Sequence, residues 1–360
     1  MAYTTIDKPS DYFNTLLYTG NGASSHAISG VGFQPDWTWN KNRSSAVNHA
    51  LTDSVRGAPK RLMSQSNEAE INQTTGLLSF NSDGFTVGSD SGYNGDGNSM
   101  VSWNWKAGTS FTNDASSTSI GSIDSAGSIN TTAGFSIIGF TGNANAGTTI
   151  AHGLGVKPNM IILKNREPDT SNWQVYHSSL GATHYVQLNS TGAAADSNTR
   201  WHDVEPTSSV FTTGSSGDVC GDSSGETFIA YCFAEKKGYS KFGNYTGNGQ
   251  ASDGTFVYLG FRPAIVITKK TDGADDWRIF DNKRSSSGFN PVDKHIYPYS
   301  SGAEASSSTN SVPDGFDFLS NGFKIRQASA GINADGGAYV YLAFAENPFV
   351  NSNGVPTNAR

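Results

Sequence analysis

One short phrase occurs three times in this chain, and its neighbours recur in the same order. The phrase is Gly-apolar-x-Pro, at residues 32–35, 155–158 and 260–263. A Thr-Gly-Asn triplet precedes each copy, and each copy is followed by a strand-like run, a short segment around a Phe, and a closing aromatic strand. Such repetition constrains the fold more than any single motif does. The spacing predicts three units of roughly 100 residues, which is the size of a compact domain.

The composition favours β-structure in each unit. The 360 residues include 41 glycines, 36% are hydrophobic and 15% are charged. Segments with helical periodicity are no longer than two turns, whereas alternating apolar and polar residues between turn-forming residues are frequent. We therefore predict an all-β fold made of three tandem antiparallel β-sandwich, jelly-roll-like domains that are related by an internal repeat.

Composition also suggests the domain boundaries. Residues 109–134 are almost entirely Ser, Thr, Gly, Ala, Asn and Asp, which is typical of a linker. No comparable spacer separates the second unit from the third, so we expect those two to pack tightly. The predicted division is an N-terminal attachment arm, three β-sandwich repeats with one linker, and a C-terminal arm: 1–18, 19–108, 109–134 (the linker), 135–238, 239–350 and 351–360.

Charge and cysteine content argue against several classes of function. A net charge of −7 is unfavourable for binding nucleic acid through its phosphates. Cys220 and Cys232 are too few for a disulfide framework and fit folding in a reducing cytosol. The first residues lack the features of an export signal, and no run is long enough to span a membrane. We expect no nucleic-acid partner and no membrane insertion.

The three copies allow residues of the scaffold to be separated from residues with a special role. Trp37 and Trp39 lie on one face of a predicted strand, as a sugar-stacking pair would. The other two copies have only Met or Ile at these positions, which favours a core role because a buried face tolerates aliphatic residues. By the same comparison Trp103 and Trp105 are core residues. Trp173 and Trp277 match each other, and their counterpart in the first unit is His49.

Three aromatic residues have no such equivalents. Trp201 lies in a stretch specific to the second unit, and Tyr297 and Tyr299 lie in one specific to the third. Loops that vary on a repeated scaffold are where binding usually resides. These three residues are therefore the candidate receptor- or glycan-binding residues, with capping of a core as the alternative for each.

Catalytic and metal-binding patterns are weak. Residues 221–225 match Gly-x-Ser-x-Gly around Ser223, but a strand rather than a helix should follow, so a hairpin turn is the better interpretation. Asp90, Asn94 and Asp96 offer oxygens for calcium without the closing glutamate of a calcium loop. The histidines show no zinc spacing. Asp203 and Glu205 are the least implausible carboxylate pair for glycoside hydrolysis. We predict no catalytic residues, no metal and no cofactor.

The repeated phrases also resemble a known group of proteins. Residues 150–158, 231–235, 245–249 and 344–349, with the leader at residues 2–13, are similar to a repeated domain of predicted tail-fibre and other virion proteins of tailed bacteriophages, especially those of marine bacteria and cyanobacteria. The resemblance covers nearly the whole chain and brings no catalytic residues. It implies a homotrimer, assembly in the bacterial cytoplasm, and location in the virion.

These observations together predict a non-enzymatic structural protein of a phage virion. The expected role is a tail fibre or receptor-binding protein that contacts a host surface glycan or outer-membrane protein and joins other tail or neck proteins through its N-terminal arm. A capsid or neck decoration protein without host contact is the first alternative. A polysaccharide depolymerase is the second.

Overall fold

The structure, a computed structural model, describes residues 4–168, 170–306, 308–309, 312–313 and 315–348. The predicted C-terminal arm, residues 351–360, lies outside these ranges. Within them the strands, in chain order, are β1 (Phe13–Thr19), β2 (His26–Ser29), β3 (Trp37–Asn42), β4 (Ala50–Asp53), β5 (Lys60–Arg61), β6 (Ile71–Asn72), β7 (Leu77–Asn81), β8 (Gly84–Val87), β9 (Ser99–Trp105), β10 (Thr109–Asn113), β11 (Ser125–Asn130), β12 (Phe135–Thr141), β13 (Thr148–Ala151), β14 (Met160–Asn165), β15 (Gln174–His177), β16 (His184–Gln187), β17 (Ala195–Asp196), β18 (Val210–Thr213), β19 (Thr227–Phe233), β20 (Ser240–Thr246), β21 (Phe256–Tyr258), β22 (Phe261–Lys270), β23 (Arg278–Asp281), β24 (Lys294–Ile296), β25 (Ala305–Ser306), β26 (Ser308–Thr309), β27 (Val312–Pro313), β28 (Phe316–Leu319), β29 (Gly322–Ile325) and β30 (Ala338–Pro348).

Helices are few and short. A 3₁₀ turn covers Pro9–Asp11. The α-helices of the described residues have four residues each, namely α1 (Ser91–Asn94), α2 (Ala115–Thr118), α3 (Asn198–Trp201), α4 (Gly217–Cys220) and α5 (Ala330–Asn333). No helix in the described ranges has the length and apolar character needed to cross a membrane. The all-β prediction is confirmed.

Three large antiparallel sheets dominate the molecule. Their strand orders are β1-β9-β3-β4, then β10-β11-β12-β19-β14-β15-β16-β17, then β20-β30-β22-β23-β24-β25. We call the parts of the chain that contribute to them, residues 13–105, 109–233 and 240–348, the first, second and third units. The closing aromatic strand has two neighbours in each large sheet: β9 lies between β1 and β3, β19 between β12 and β14, and β30 between β20 and β22. It therefore occupies an interior position.

Each unit also has a smaller antiparallel sheet. Their orders are β2-β8-β7, β13-β18 and β21-β29-β28. Three separate hydrophobic clusters contain residues of one large sheet and of the small sheet of the same unit, exemplified by Ala50 with Phe85, Ile161 with Phe211, and Val266 with Phe323. One face of each large sheet is thus covered from within its own unit.

The opposite faces of the three large sheets meet in one core. This shared core contains Trp37 and Trp105 of the first unit, Tyr231 of the second and Phe344 of the third. The Trp37 ring stacks on the Tyr231 ring with centroids 4.2 Å apart, and the Trp105 ring is 6.0 Å from the Phe344 ring. The four tryptophans assigned to the core, Trp37, Trp39, Trp103 and Trp105, are all at most 2% exposed, which confirms that assignment.

Two expected boundaries differ from the structure. Part of residues 109–134, the expected linker, forms β10 and β11, which pair with each other and, through β11, with β12. The spacer is therefore part of the second large sheet, because backbone hydrogen bonds to a neighbouring strand need little apolar surface in the added strand. Part of residues 1–18, the expected arm, forms β1, which pairs with β9 along its full length. Ile6 is buried in the shared core.

The glycine of the Gly-apolar-x-Pro phrase has a direct structural reason in all three copies. Gly32, Gly155 and Gly260 have φ +89°, +70° and +80°, a backbone conformation that costs other residues energy. The glycine of the Thr-Gly-Asn triplet is needed because of close packing. A Cβ on Gly142 would lie 2.3 Å from the Cys220 carbonyl oxygen, and one on Gly247 would lie 2.3 Å from that of Ala334.

Candidate binding surface

Trp201, the first predicted binding residue, lies in the interior of the second unit. Ser197 caps the short helix α3 and places the Trp201 ring edge-on to Tyr176, with centroids 5.9 Å apart. The residue is 1% exposed, and its indole N–H has no hydrogen-bond partner. As placed, the ring caps a core and offers no face to a sugar.

Tyr297 and Tyr299 are half-buried, and their rings pack against each other with centroids 5.8 Å apart. The backbone of their segment contacts the first unit: the Tyr297 carbonyl accepts a hydrogen bond from His49 Nε2 at 3.1 Å, and the Pro298 carbonyl accepts one from Ser64 Oγ at 2.7 Å. This segment therefore holds the third unit against the first. A binding role for the two rings stays a prediction.

A buried ionic cluster joins the first unit to the second. Arg56 Nε lies 2.5 Å from Asp53 Oδ2, and Arg56 Nη1 lies 3.0 Å from Glu70 Oε2. From the second unit, Arg166 binds Glu70 through two nitrogens at 2.8 and 3.0 Å, and Tyr231 donates its hydroxyl to Asp53 at 2.7 Å. Although burial opposes ionisation, Arg166 and Arg56 lower the pKa of Glu70. Residues of both units thus complete the ion pairs and hydrogen bonds of the cluster.

The third unit contacts the first through a cluster of the same chemistry. Arg284 binds Asp281 at 2.5 Å and Glu304 at 3.1 Å. From the first unit, Arg43 binds Glu304 at 2.8 and 2.9 Å, and the Trp103 indole N–H donates to Asp281 at 2.9 Å. A Trp donor here takes the place that the Tyr231 hydroxyl has in the other cluster.

The boundary between the second and third units has neutral residues in the place of these ionic clusters. His177 and Leu180 stand at the end of β15, where the other two units have their Asp and Arg. His177 Nε2 lies 3.1 Å from the Tyr341 carbonyl oxygen, and Leu180 packs against the shared core. Ala194 donates its backbone N–H to Thr271 at 2.9 Å. All three boundaries are thus closed by direct contacts.

Three buried lysines add to these contacts. Each donates to the backbone carbonyl of the next residue in its own unit and to a carbonyl of another unit. Burial lowers the pKa of Lys41 to about 8 and that of Lys269 to about 8. The lysines and their acceptors in the other unit are Lys41 with Ser301, Lys164 with Asn67, and Lys269 with Thr191.

Three of the four buried histidines among the described residues, His49, His152 and His177, are held in the neutral form by the same arrangement. In each, Nδ1 accepts a hydrogen bond from an N–H group while Nε2 faces a backbone carbonyl, so Nε2 carries the single proton. His49 accepts from the Trp39 indole at 2.8 Å, and burial lowers the pKa of His49 to about 3. Burial likewise lowers the pKa of His152 and of His177 to about 4. Their rings serve the scaffold.

Residues of the weak catalytic and metal-binding patterns have structural roles. Ser223 lies in a turn that leads directly into β19, and its N–H donates to Glu226. Asp90 caps α1 by accepting from Gly92 N–H at 2.8 Å. Glu205 accepts from Lys157, Tyr176 and Ala182 N–H, which together lower its pKa against the opposing effect of burial. The described residues contain no group of three or more His, Cys, Asp or Glu side chains placed to hold a metal.

An open groove of 630 Å³ lies where the first unit meets the second. Its lining includes the apolar residues Val55 and Phe140 and the carboxylates of Asp114 and Asp124. Both carboxylates already accept hydrogen bonds in their own loop, from Ser117 N–H and Ala115 N–H respectively. These two carboxylates are therefore already engaged within the protein.

A different pair of aromatic residues lies on the surface of the third unit. Phe256 and Tyr258 of β21 are 45% and 51% exposed, whereas Val257 between them is buried. Because alternate residues of a strand point to the same side, both rings face solvent together. Lys241 Nζ lies 5.4 Å from the Tyr258 ring centroid and donates to the Tyr258 carbonyl at 3.0 Å.

The residues at the positions of Phe256 and Tyr258 differ between the three small sheets. Pairing aligns Val257 with Phe323, Ile28 with Phe85 and Ile150 with Phe211. The residues that flank Ile28 are Ala27 and Ser29, and those that flank Ile150 are Thr149 and Ala151. Large aromatics at the two solvent-facing positions are thus a feature of the third unit among the three small sheets.

Comparison with known proteins gives one result. Residues 8–348 match a family described as a domain of unknown function, DUF7483. The chain belongs to this family. Searches of curated proteins and of solved structures found no match. The family match extends over all three units, so the β21 surface and the whole shared core except Ile6 fall within it.

Proposed function

We propose that this DUF7483 protein is a non-enzymatic structural protein of a tailed-phage virion, a tail fibre or receptor-binding protein that contacts the host surface. The observation that carries the proposal is the exposed aromatic pair Phe256 and Tyr258, which is specific to one unit. The buried ionic clusters and lysines, by contrast, make contacts between the units. Exposed aromatic clusters on an otherwise polar surface mark recognition sites. The resemblance of the repeated phrases to virion proteins supplies the biological setting.

We further propose that the three units are β-sandwiches related by an internal repeat and closed into a ring. Each large sheet and the small sheet of the same unit share a hydrophobic cluster, as the two layers of a sandwich do. Equivalent backbone contacts occur at the three boundaries, where the N–H of Glu70, Ala194 and Glu304 donates to the carbonyl of Arg166, Thr271 and Arg43 respectively. The distances are 2.8, 2.9 and 2.9 Å.

Homotrimerisation and attachment to other virion proteins stay part of the proposal. Within one chain, the inner faces of the three large sheets already cover one another. These faces therefore do not require two further copies of the chain to bury them. Attachment through the N-terminal arm is restricted to the residues before β1. Assembly in the bacterial cytoplasm follows from the same resemblance.

The test is the position of the protein on intact particles. Virions are labelled with gold-conjugated antibodies raised against the purified protein and imaged by electron microscopy. Label at the distal tail supports host contact, and pre-incubation with the antibody should then block adsorption to cells. Label confined to the capsid or neck overturns the receptor-binding role.

A decoration protein without host contact is the second candidate. The shared core favours it, since three units packed around one core form a compact body rather than the string of domains expected of a long fibre. Label on the capsid, together with normal adsorption of particles that lack the protein, would support this role.

A further inference from the structure

The aromatic pair Phe256 and Tyr258 lies on the free edge of its sheet. Among the strands of the described residues, β21 pairs only with β29, in the order β21-β29-β28. Gly322 stands opposite Tyr258 on β29, so no side chain from that position covers the tyrosine ring. The i and i+2 positions of a strand are about 7 Å apart, a spacing that lets neighbouring sugar residues of one chain each lie over a ring.

The charges around this pair leave one cation without a partner carboxylate. Lys324, opposite Phe256, is 2.6 Å from Asp253, and Arg326 is 3.6 Å from Asp317. Lys241, beside Tyr258, has no carboxylate within 4.0 Å among the described residues. Its ammonium group is therefore the positive charge that remains available to a ligand lying on the tyrosine ring.

We propose that Phe256, Tyr258 and Lys241 form a binding site for an acidic carbohydrate chain. Sugar rings stack their C–H faces on the two aromatic rings, and a carboxylate or sulfate of the ligand binds the Lys241 ammonium. This assignment rests on the proposed host contact and names the class of surface molecule involved. The solvent-exposed ion pair with Lys241 contributes selectivity and salt dependence. The faces of the two aromatic rings, once the bound sugars cover them, contribute most of the affinity.

Isothermal titration of the full chain with defined oligosaccharides tests the site. The probes are oligogalacturonate, the same oligomer as its methyl ester, chondroitin sulfate oligomers and neutral dextran oligomers. At least one acidic probe should bind, and it should bind at least tenfold more tightly than its neutral counterpart. Raising the salt concentration should reduce that difference, since the lysine contact is exposed.

Three variants separate stacking from charge. Tyr258→Ala should weaken binding of the acidic probe at least tenfold, whereas Tyr258→Phe should keep most of it. Lys241→Gln should remove the preference for acidic over neutral probes. The control is Phe289→Ser, which removes another exposed aromatic of the same unit, 69% exposed, and should leave binding unchanged. The three side chains changed in these four variants are solvent-accessible, so far-UV circular dichroism and the melting temperature should not change.

Two results would overturn the site. One is the absence of measurable binding to every acidic probe. The other is binding that Tyr258→Ala and Lys241→Gln leave unaffected. The outcome is independent of the labelling experiment: acidic-sugar binding with label only on the capsid keeps the site and removes the host contact, while distal tail label without sugar binding does the reverse.

Discussion

At the scale of single residues, the buried charges are the most informative feature. Arg56 is 1% exposed and touches two carboxylates and the Tyr231 hydroxyl. A buried ion pair contributes little net stability compared with apolar residues, but removing one partner leaves an uncompensated charge. The neutral set around His177 and Leu180 shows that the same place in the structure also accepts a version without ions.

Arg56→Leu should therefore destabilise the protein by about 3 to 5 kcal/mol, because the buried Asp53 side chain would lose its cationic partner. The triple variant Asp53→His, Arg56→Leu and Tyr231→Leu copies the neutral boundary, where Leu342 stands in place of Tyr231, and should recover most of that loss. Urea unfolding followed by tryptophan fluorescence measures both.

The control for this series is Arg326→Leu, which breaks an exposed pair with Asp317 and should cost less than about 1 kcal/mol. A loss for Arg56→Leu as small as that of the control would contradict the role assigned to the cluster.

The buried histidines predict sensitivity to acid. Their pKa values in the folded protein, about 3 for His49 and about 4 for His152 and His177, lie below the value of about 6.5 in an unfolded chain. Between these values the unfolded state binds more protons, so stability falls as pH drops from 6.5 towards 4. Each histidine contributes up to about 1.4 kcal/mol per pH unit.

Urea unfolding at pH 7, 6, 5 and 4 measures this slope. His177→Asn should make the free energy of unfolding depend less steeply on pH. His202→Asn, which changes an exposed residue, is the control and should leave this slope unchanged. A free energy of unfolding that is constant from pH 7 to pH 4.5 would be inconsistent with three neutral buried rings.

At the scale of strands and turns, glycine positions decide how closely the strands approach. The glycines of the Thr-Gly-Asn triplets face a backbone carbonyl at distances that no Cβ tolerates. Residues 109–130 show the opposite case, in which polar residues without a hydrophobic pattern still form strands. Strand β10 pairs with β11 and β11 pairs with β12 through backbone hydrogen bonds, which leave no pattern in the side chains.

Gly247→Ala should destabilise the protein by about 2 to 3 kcal/mol, because the new methyl group would force the Ala334 carbonyl to move. Gly336→Ala in the same unit is the matched control. It has φ +70° but open space around the added Cβ, so it should cost only about 1 kcal/mol. Chemical unfolding of the two variants compares them directly, and equal losses would argue against the close approach.

At the scale of the whole molecule, the shared core makes the three units depend on one another. Trp37 stacks on Tyr231, and Phe13 stacks on Phe344 with centroids 5.2 Å apart, so no unit keeps its inner face covered alone. Scanning calorimetry of the full chain should therefore show one cooperative transition, with calorimetric and van't Hoff enthalpies in agreement. Three separable transitions would contradict a common core.

The sequence by itself determined the all-β class and the burial of Trp37, Trp39, Trp103 and Trp105. Both depend on local properties, namely strand alternation and apolar character, and the comparison of Trp37 with its aliphatic counterparts relied on nothing else. Only the tertiary structure decided that the three units share a core, that residues 109–130 extend a sheet, that Trp201 is buried, and that Phe256 and Tyr258 face solvent. These four features depend on which distant segment of the chain packs against each strand. The residues of a strand do not by themselves specify that segment.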